Sequence, residues 1–176
     1  MDLGLKGKWI LLTGASDGFG AALAQVLAEE GANLVLHELD LPDKREKLEA
    51  LCAELSRARG VKARPEYADL SDKGAARALL ERAEAETPLY GLVNNAAIWP
   101  TAMVREMTQE SFERTLAINL VAPFVLCKAF VRALDAGKRQ GKIVNMVSQA
   151  AFHGSTSGHA HYAASKAGLV GFTVSL

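Results

Sequence analysis

The chain has 176 residues, of which 49% are hydrophobic, and its 20 basic residues balance 20 acidic ones. This length suffices for one domain with a sizeable core, and the balanced charge argues against a nucleic-acid-binding surface. Cys52 and Cys127 lie far apart among helix-forming residues, so we expect free, buried thiols and a reducing compartment. The N-terminus lacks a signal-peptide pattern, and the apolar run near 120–127 is too short to span a membrane. We therefore expect one soluble, cytoplasmic domain over residues 1–176.

Short apolar runs alternate with longer periodic segments along the chain. The short runs predict five buried strands, at residues 8–12, 33–36, 61–67, 91–94 and 142–147. The longer segments predict helices at residues 19–30, 42–59, 71–87 (with Ser71 as the cap residue) and 108–135, and a last one beginning near Tyr162. This β-α-β-α alternation with near-continuous apolar strands predicts an α/β fold, a doubly wound parallel sheet covered by helices on both faces.

A glycine-rich turn joins the first predicted strand to the first predicted helix. It reads Thr13-Gly14-Ala15-Ser16-Asp17-Gly18-Phe19-Gly20. Glycines permit a tight turn that brings backbone N–H groups close to a pyrophosphate, and the helix N-terminus adds its partial positive charge. An ordinary glycine-rich turn is the alternative, but strand, turn and helix come in the order that nucleotide binding requires. We therefore predict a nucleotide site here.

The end of the second predicted strand indicates which nucleotide is bound. Glu38 lies 18 residues after Gly20, where a carboxylate can accept hydrogen bonds from a ribose 2′-OH and repel a 2′-phosphate. Leu39 follows where an NADP-binding protein would favour Arg, and Asp17 adds a second negative charge. These features favour NAD over NADP. The alternatives are that Asp40 contacts the ribose, or that Glu38 is only a solvated residue at a strand end.

Tyr162 and Lys166 lie one helical turn apart, after a strand that ends at Ser148. At this spacing a phenol and an ammonium group share one helix face within mutual reach. A nearby cation lowers the pKa of a phenol from about 10 toward the working range, which makes the phenol an acid or base for a carbonyl/alcohol pair. The same spacing also occurs by chance on many helices, so the neighbouring motifs decide between the two interpretations.

Five motifs occur in the following order: Thr13-Gly14-x3-Gly18-x-Gly20, Asn94-Asn95-Ala96-Ala97, Asn119, Ser148 and Tyr162-x3-Lys166. With these motifs the chain resembles the classical short-chain dehydrogenases/reductases over its whole length. The resemblance implies a Rossmann fold with strand order 3-2-1-4-5 and a nicotinamide cofactor. It also implies hydride transfer to or from a small-molecule secondary alcohol or ketone, and association as a homodimer or homotetramer. Nucleic acid, membrane and metal ions are not expected as partners.

The resemblance assigns roles to four catalytic residues. Tyr162 would be the general acid or base, and Lys166 would lower the pKa of Tyr162 and bind the nicotinamide ribose. Ser148 would hold the substrate oxygen, and Asn119 would anchor a water that links Lys166 to solvent. The implied cofactor contacts are Gly14, Ser16, Asp17, Gly18, Phe19, Gly20, Glu38, Asp69, Leu70, Asn95, Ala96, Tyr162 and Lys166.

Pro123 supports the role of Asn119 independently. It lies four residues after Asn119 and has no N–H, so it cannot donate to the Asn119 carbonyl, and its ring should bend the helix there. The freed carbonyl would suit a water anchor. The alternatives are a kink that only improves packing, and a role for the Asn119 side chain instead of the carbonyl.

The chain departs from the family pattern in three places. Ala97 replaces the usual Gly, and the loop 149–161 is one residue longer than is common. The sequence also stops at Leu176, inside a helix, whereas relatives continue into two more strands and a substrate-covering loop. We therefore expect a C-terminally incomplete domain with the fifth strand at an open edge, an exposed apolar patch, weak NAD binding and poor turnover alone. The competing hypothesis is a nucleotide-binding module with a vestigial active site.

Two further groups of side chains surround the expected substrate region. His153, His159 and His161 match no metal-binding spacing, and we expect them at the substrate entrance or in solvent. Trp99 follows the Asn-Asn-Ala-Ala run and is expected either to form a wall of the pocket or to fill the core.

Overall fold

A computed structural model describes residues 3–176 as helices around a five-stranded sheet with parallel pairing throughout. The strands are β1 (Trp9–Thr13), β2 (Asn33–Glu38), β3 (Ala63–Tyr67), β4 (Leu89–Asn94) and β5 (Lys142–Asn145). Their order in the sheet is β3-β2-β1-β4-β5, which confirms the predicted Rossmann topology. The carboxyl ends of all five strands therefore lie along one edge, where ligands bind in such sheets.

Seven α-helices and one π-helical turn connect the described strands. They are α1 (Gly18–Glu29), α2 (Pro42–Arg59), α3 (Ala75–Glu86), α4 (Gln109–Leu116), the π-helical turn (Ala117–Val121), α5 (Ala122–Ala136), α6 (Ala150–His153) and α7 (Ala160–Ser175). Helix α2 shows why such bounds are readable from sequence. It begins with Pro42, whose missing N–H costs nothing there, and ends at Gly60, which adopts the left-handed conformation with φ of 68°.

The sheet buries a separate apolar cluster on each face. Successive side chains of a strand point to opposite faces, so Leu12 packs with α1 and α2 while Leu11 packs with α3 and α5. The first cluster includes Leu34, Leu36, Leu48 and Leu55, and the second includes Val35, Leu79, Leu92 and Phe130. Burial on both faces explains why the central strands are apolar at nearly every position.

Most predicted element bounds differ from the structure by one or two residues, and the start of α3 differs by four. Helix α3 begins at Ala75 instead of Ser71, because the Ser71 hydroxyl donates to Asp69 Oδ1 at 2.6 Å and forms a turn instead of capping the helix. Strand β5 ends at Asn145 instead of residue 147, because its partner β4 ends at Asn94, opposite Asn145. The third strand begins at Ala63 instead of residue 61, and the short helix α6 lies inside the predicted loop 149–161.

The long helical segment 109–136 is interrupted where Pro123 predicts it. The π-helical turn covers Asn119 and ends immediately before α5, which has Pro123 in its first turn. By length and composition alone this segment could cross a membrane. Its buried residues Leu126, Cys127 and Phe130 pack against α3 and the sheet, so core packing accounts for part of its apolar character.

Strand β5 pairs only with β4 among the described strands, so its outer edge is open, as expected. Val144 and Val147 lie at this edge with 48% and 42% of their surface exposed, which fits the expected apolar patch. Cys52 and Cys127 are free and buried, which confirms the sequence interpretation. Burial raises the pKa of each thiol to about 11, so neither is a reactive thiolate at neutral pH.

Candidate nucleotide and active site

The glycine turn has no room for side chains at two positions. Gly14 has a φ of 66°, and a Cβ atom there would lie 2.8 Å from the Ala96 backbone. A Cβ atom on Gly20 would lie 2.0 Å from the Gly14 carbonyl oxygen and 2.9 Å from the Asn95 amide nitrogen. Helix α1 starts at Gly18, and no side chain caps its N-terminus. The backbone N–H groups at the start of α1 are therefore left without a side-chain cap, the geometry that holds a phosphate.

Polar side chains tie the end of β4 to this turn. The Thr13 hydroxyl accepts hydrogen bonds from the backbone N–H groups of Asn95 (3.1 Å) and Ala96 (3.0 Å) and donates to Val93 O. The Asn95 amide donates to the carbonyls of Thr13 (3.0 Å) and Gly14 (2.8 Å). We call these contacts the Thr13–Asn95 clamp. Thr13 is a site residue that the sequence interpretation quoted in a motif but gave no role.

Glu38 is fixed at the end of β2 by three hydrogen bonds. Its Oε2 accepts from the Ser16 backbone N–H (3.2 Å) and hydroxyl (2.8 Å), and its Oε1 accepts from Leu39 N–H (3.0 Å). Ser16 is buried and does not line the cleft, whereas Glu38 does. Ser16 therefore orients the Glu38 carboxylate. The carboxylate is thus held in one orientation at the mouth of the cleft.

Asp17 forms an ion-paired cluster that its sequence context did not reveal. Lys44 Nζ lies 2.7 Å and Lys47 Nζ 3.7 Å from Asp17 Oδ2. The hydrogen bond from Lys44 lowers the pKa of Asp17, and the same bond raises the pKa of Lys44. The negative charge that was taken to repel a phosphate is therefore offset by two cations. We call these three residues the Asp17 cluster.

Asp69 also lines the cleft, and its carboxylate is held by hydrogen bonds and an ion pair. Its Oδ1 accepts from Ser71 N–H (2.8 Å) and hydroxyl (2.6 Å), and Arg114 from α4 lies 3.3 Å from its Oδ2. Burial alone would raise the pKa of Asp69, but the Ser71 hydrogen bonds and the Arg114 charge hold it below its usual value. Arg114 brings a cation to this wall that the sequence interpretation missed.

These elements enclose a cleft of about 370 Å³. Ten of the predicted cofactor contacts line it: Gly14, Asp17, Gly18, Phe19, Gly20, Glu38, Asp69, Leu70, Asn95 and Ala96. The lining that the sequence did not predict includes Lys44, Arg114 and Ile118, which come from helices. Trp99 also lines the cleft with 64% of its surface exposed, so it forms a wall and does not fill the core.

Lys166 is a buried cation beside Tyr162. Only 3% of Lys166 is exposed, its Nζ donates to Met146 O at 2.5 Å, and it lies 5.8 Å from the centre of the Tyr162 ring. Burial lowers the pKa of Lys166 to about 8. The hydroxyl of Ser148, which lies between β5 and α6, accepts a hydrogen bond from Ala150 N–H at 3.2 Å. The ammonium is thus close enough to the phenol ring for its charge to act on it.

Asn119 is fully buried and its side chain is engaged by its surroundings. Its Oδ1 accepts from Ile98 N–H (2.9 Å), and its Nδ2 donates to Ile98 O (2.8 Å) and the Ser165 hydroxyl (3.2 Å). The side chain therefore joins the π-helical turn to the loop after β4 and to α7. Only its backbone carbonyl, in the interrupted helix, is left for the predicted water.

A second cavity of about 390 Å³ opens at Tyr162. It is lined by Trp99, Ala150, Gly154, Ser155, His159 and Tyr162. His159 connects its walls, because its Nε2 lies 3.0 Å from the Thr101 hydroxyl and its Nδ1 lies 3.1 Å from the Ser157 hydroxyl. Since Trp99 lines both spaces, this cavity adjoins the nucleotide cleft.

The three histidines have different surroundings. His159 lies at the cavity as expected, and His153 is exposed. The expectation is wrong for His161, which is fully buried and accepts a hydrogen bond from the Tyr162 backbone N–H at 2.9 Å. Within residues 3–176, no three His, Cys, Asp or Glu side chains are grouped to hold a metal ion.

The fold and the cleft define a nucleotide-binding α/β protein of the Rossmann class. Residues 8–176 match the short chain dehydrogenase family, and the chain belongs to this family. This confirms the family that the motifs indicated.

Three similar proteins illustrate the relationship. The chain is 39% identical over 175 residues to nodulation protein G of Rhizobium sp. (strain N33) and 39% identical over 172 residues to D-threitol dehydrogenase of Mycolicibacterium smegmatis. These matches cover 98% and 97% of this chain but 66% and 63% of the relatives. The structure of a metagenomic short-chain oxidoreductase in complex with NADP superposes with a TM-score of 0.86 at 37% identity, covering 97% of this chain and 75% of that one.

The crowding at Gly20 predicts a sharp difference between two glycine substitutions. Gly20→Ala should abolish nucleotide binding and destabilise the fold, because its Cβ has no room beside the Gly14 carbonyl. Gly171→Ala, in α7 with no atom within 4 Å of its Cβ position, should stabilise by roughly 0.5–1 kcal/mol. Thermal melts and dinucleotide titration check both variants. Equal behaviour of the two would contradict the close approach.

The buried ammonium of Lys166 predicts a cost in stability. A fall in its pKa from 10.5 to about 8 corresponds to roughly 3 kcal/mol. Lys166→Met should therefore raise the free energy of unfolding at pH 7 by about 1–3 kcal/mol. Between pH 8 and 10.5 the folded wild type binds fewer protons than the unfolded chain, so its stability rises with pH and the advantage of the variant shrinks. Urea denaturation at pH 7 and pH 9.5 measures this, with the exposed Lys62→Met as control. If Lys166→Met exceeds the wild type in free energy of unfolding by the same amount at both pH values, burial of the ammonium charge is not the cause.

Proposed function

We propose that this chain is the cofactor-binding and catalytic domain of an NAD-dependent oxidoreductase that interconverts a secondary alcohol and a ketone. The observation that carries the proposal is the buried Lys166 beside Tyr162, because Tyr162 lines a cavity that adjoins the nucleotide cleft at Trp99. A protein that only binds nucleotides has no need to bury an ammonium group beside a phenol. The cofactor fits the cleft because Gly14 and Gly20 leave free the space that a Cβ would fill, and the α1 N–H groups face it uncapped.

Four residues would share the proton transfer and the charge stabilisation, and of these Tyr162 lines the second cavity. When bound, the nicotinamide supplies or accepts the hydride. Tyr162 donates its phenolic proton to the carbonyl oxygen during reduction and recovers it during oxidation. Ser148 donates a hydrogen bond to the same oxygen and stabilises its developing charge. Lys166 places a positive charge beside Tyr162 and binds the nicotinamide ribose, and the Asn119 carbonyl holds the water that connects Lys166 to solvent.

The orientation of Glu38 supports NAD over NADP as the cofactor. Three hydrogen bonds fix its carboxylate in the cleft, where it can accept from a ribose 2′-OH and repels a 2′-phosphate. The solved relative described above was crystallised with NADP, so the preference is a property proposed for this chain's own Glu38. Leu39 adds no cation at this position.

We propose that the substrate carries several hydroxyl groups. The side chains of Thr101, Ser155, Ser157 and His159 form a hydrogen-bonded rim at the cavity that contains Tyr162. Hydroxyls both donate and accept, so a polyol or sugar can extend this network, and the exposed Trp99 offers an apolar surface for its C–H groups. A relative named D-threitol dehydrogenase supports this substrate class.

We also propose a homo-oligomer in the cytoplasm. Val121 and Phe124 on the long helical segment are 50% and 44% exposed, and burial between two copies would remove this apolar surface from water. The two free thiols are compatible with a reducing compartment.

Tyr162→Phe separates the oxidoreductase from a nucleotide-binding module. The variant should lose about 10²–10⁴-fold in turnover, since the proton donor is gone, while NADH binding stays measurable by fluorescence. Tyr90→Phe, on β4 and away from both cavities, is the matched control and should retain activity. Absorbance assays with secondary alcohols and ketones measure turnover. Wild-type protein that binds NADH but shows no Tyr162-dependent turnover would establish the module instead.

His159→Phe tests the substrate class. Removing both ring nitrogens from the rim should raise KM for a polyol about tenfold, while a simple secondary alcohol without extra hydroxyls is affected less than twofold. His153→Phe, at an exposed histidine outside the cavity lining, serves as control. An equal rise in KM for both substrates, or a preference of the wild type for acyl thioesters, would rule out recognition of polyols by this rim.

A further inference from the structure

We propose that Lys44 and Lys47 constitute a phosphate-binding pair at the ribose end of the cleft, and that Asp17 neutralises this pair and thereby sets the choice between NAD and NADP. The inference rests on the proposed function, because it takes the adenosine half of the dinucleotide to lie beside Glu38. It adds two lysines of α2 to the determinants of cofactor choice and gives Asp17 the role of neutralising them.

The position of the lysines carries the first step. Lys44 lines the nucleotide cleft together with Glu38 and Leu39, the residues expected at the ribose 2′ position. Lys47 follows three residues later on α2, so it lies on the same helix face as Lys44. Both ammonium groups reach the same oxygen of Asp17, at 2.7 and 3.7 Å. The two cations are therefore gathered at one point of the cleft mouth.

The charges carry the second step. Glu38 and Asp17 contribute two negative charges, and Lys44 and Lys47 contribute two positive charges. These four charges cancel one another, and the two lysines that could bind a 2′-phosphate are already paired with Asp17. Removing the Asp17 charge leaves one net positive charge and releases both ammonium groups for a phosphate. Glu38 stays in place, because its hydrogen bonds come from Ser16 and Leu39.

The side-chain environment carries the third step. Asp17 is 53% exposed and Lys44 is 28% exposed, so the pair lies at the surface and can exchange partners without opening the core. Asp17 is the residue before α1, yet its side chain makes no capping hydrogen bond there. Its side chain is thus committed to the lysines and not to the helix end.

The test is the ratio of NADPH affinity to NADH affinity, measured by nucleotide fluorescence in wild type and variants. Asp17→Asn should raise this ratio about tenfold at low salt, and the gain should shrink at about 0.5 M NaCl because both partners are exposed. The triple variant Asp17→Asn/Lys44→Met/Lys47→Met should return the ratio to within about twofold of the wild type. Asp17→Ser, with a side chain favoured before a helix, repeats the test in a second background.

The controls separate the possible failures. Glu46→Gln makes the same change of charge on an exposed part of α2 and should change the ratio less than twofold. An unchanged ratio in both Asp17 variants overturns the inference. A triple variant that keeps the raised ratio also overturns the inference, since the loss of repulsion by Asp17 alone would then explain the rise. A wild type that prefers NADPH overturns the NAD assignment but leaves the variant ratios as a test of the lysines, and absence of any dinucleotide binding overturns both.

Discussion

The nucleotide cleft depends on the Thr13–Asn95 clamp. Parallel strands end at a common edge, but nothing in the strand ladder itself fixes the loops beyond it. Thr13 uses its hydroxyl three times and Asn95 uses its amide twice to join the end of β4 to the glycine turn. Each of these bonds satisfies a partly buried backbone group, so losing one side chain would leave several such groups unpaired. The same closeness excludes a Cβ at Gly20, so the clamp and the glycines require each other.

The buried ammonium of Lys166 opposes the stability of the fold. The ammonium of Lys166 is desolvated, and it donates a hydrogen bond to the Met146 carbonyl. Packing does not require a cation at this position, and the apolar clusters on both faces of the sheet must offset its burial. Asn119 shows the converse arrangement, because every polar atom of its side chain is hydrogen-bonded in the core. The site thus combines a desolvated ammonium group, that of Lys166, with a side chain whose polar atoms are all hydrogen-bonded, that of Asn119.

The family resemblance implied the sheet order. Sequence patterns predicted the strands and helices to within a few residues and most of the cleft lining, because these follow from local periodicity and from short motifs at the ends of strands. They did not predict Lys44 or Arg114, which reach the cleft through contacts with residues 27 and 45 positions away. Such contacts depend on where a helix packs against a distant loop, and no local pattern encodes that. Ser71 was misassigned for a related reason, since its hydroxyl can cap a helix or bond Asp69, and only the folded turn decides. The domain assignment and the roles of individual site residues remain predictions.

One segment, residues 95–102, couples the two cavities. Its first residues belong to the Thr13–Asn95 clamp, its middle is held by Asn119 through Ile98, and Trp99 lines both spaces. Its end is fixed to the loop before α7, because Ala102 N–H donates to Gly158 O and Thr101 contacts His159. These contacts join the glycine turn, the π-helical turn and the loop before α7, so the loop after β4 borders both the nucleotide cleft and the cavity at Tyr162. The proposed reaction therefore depends on this loop as well as on α7, because the two spaces share Trp99 as a wall.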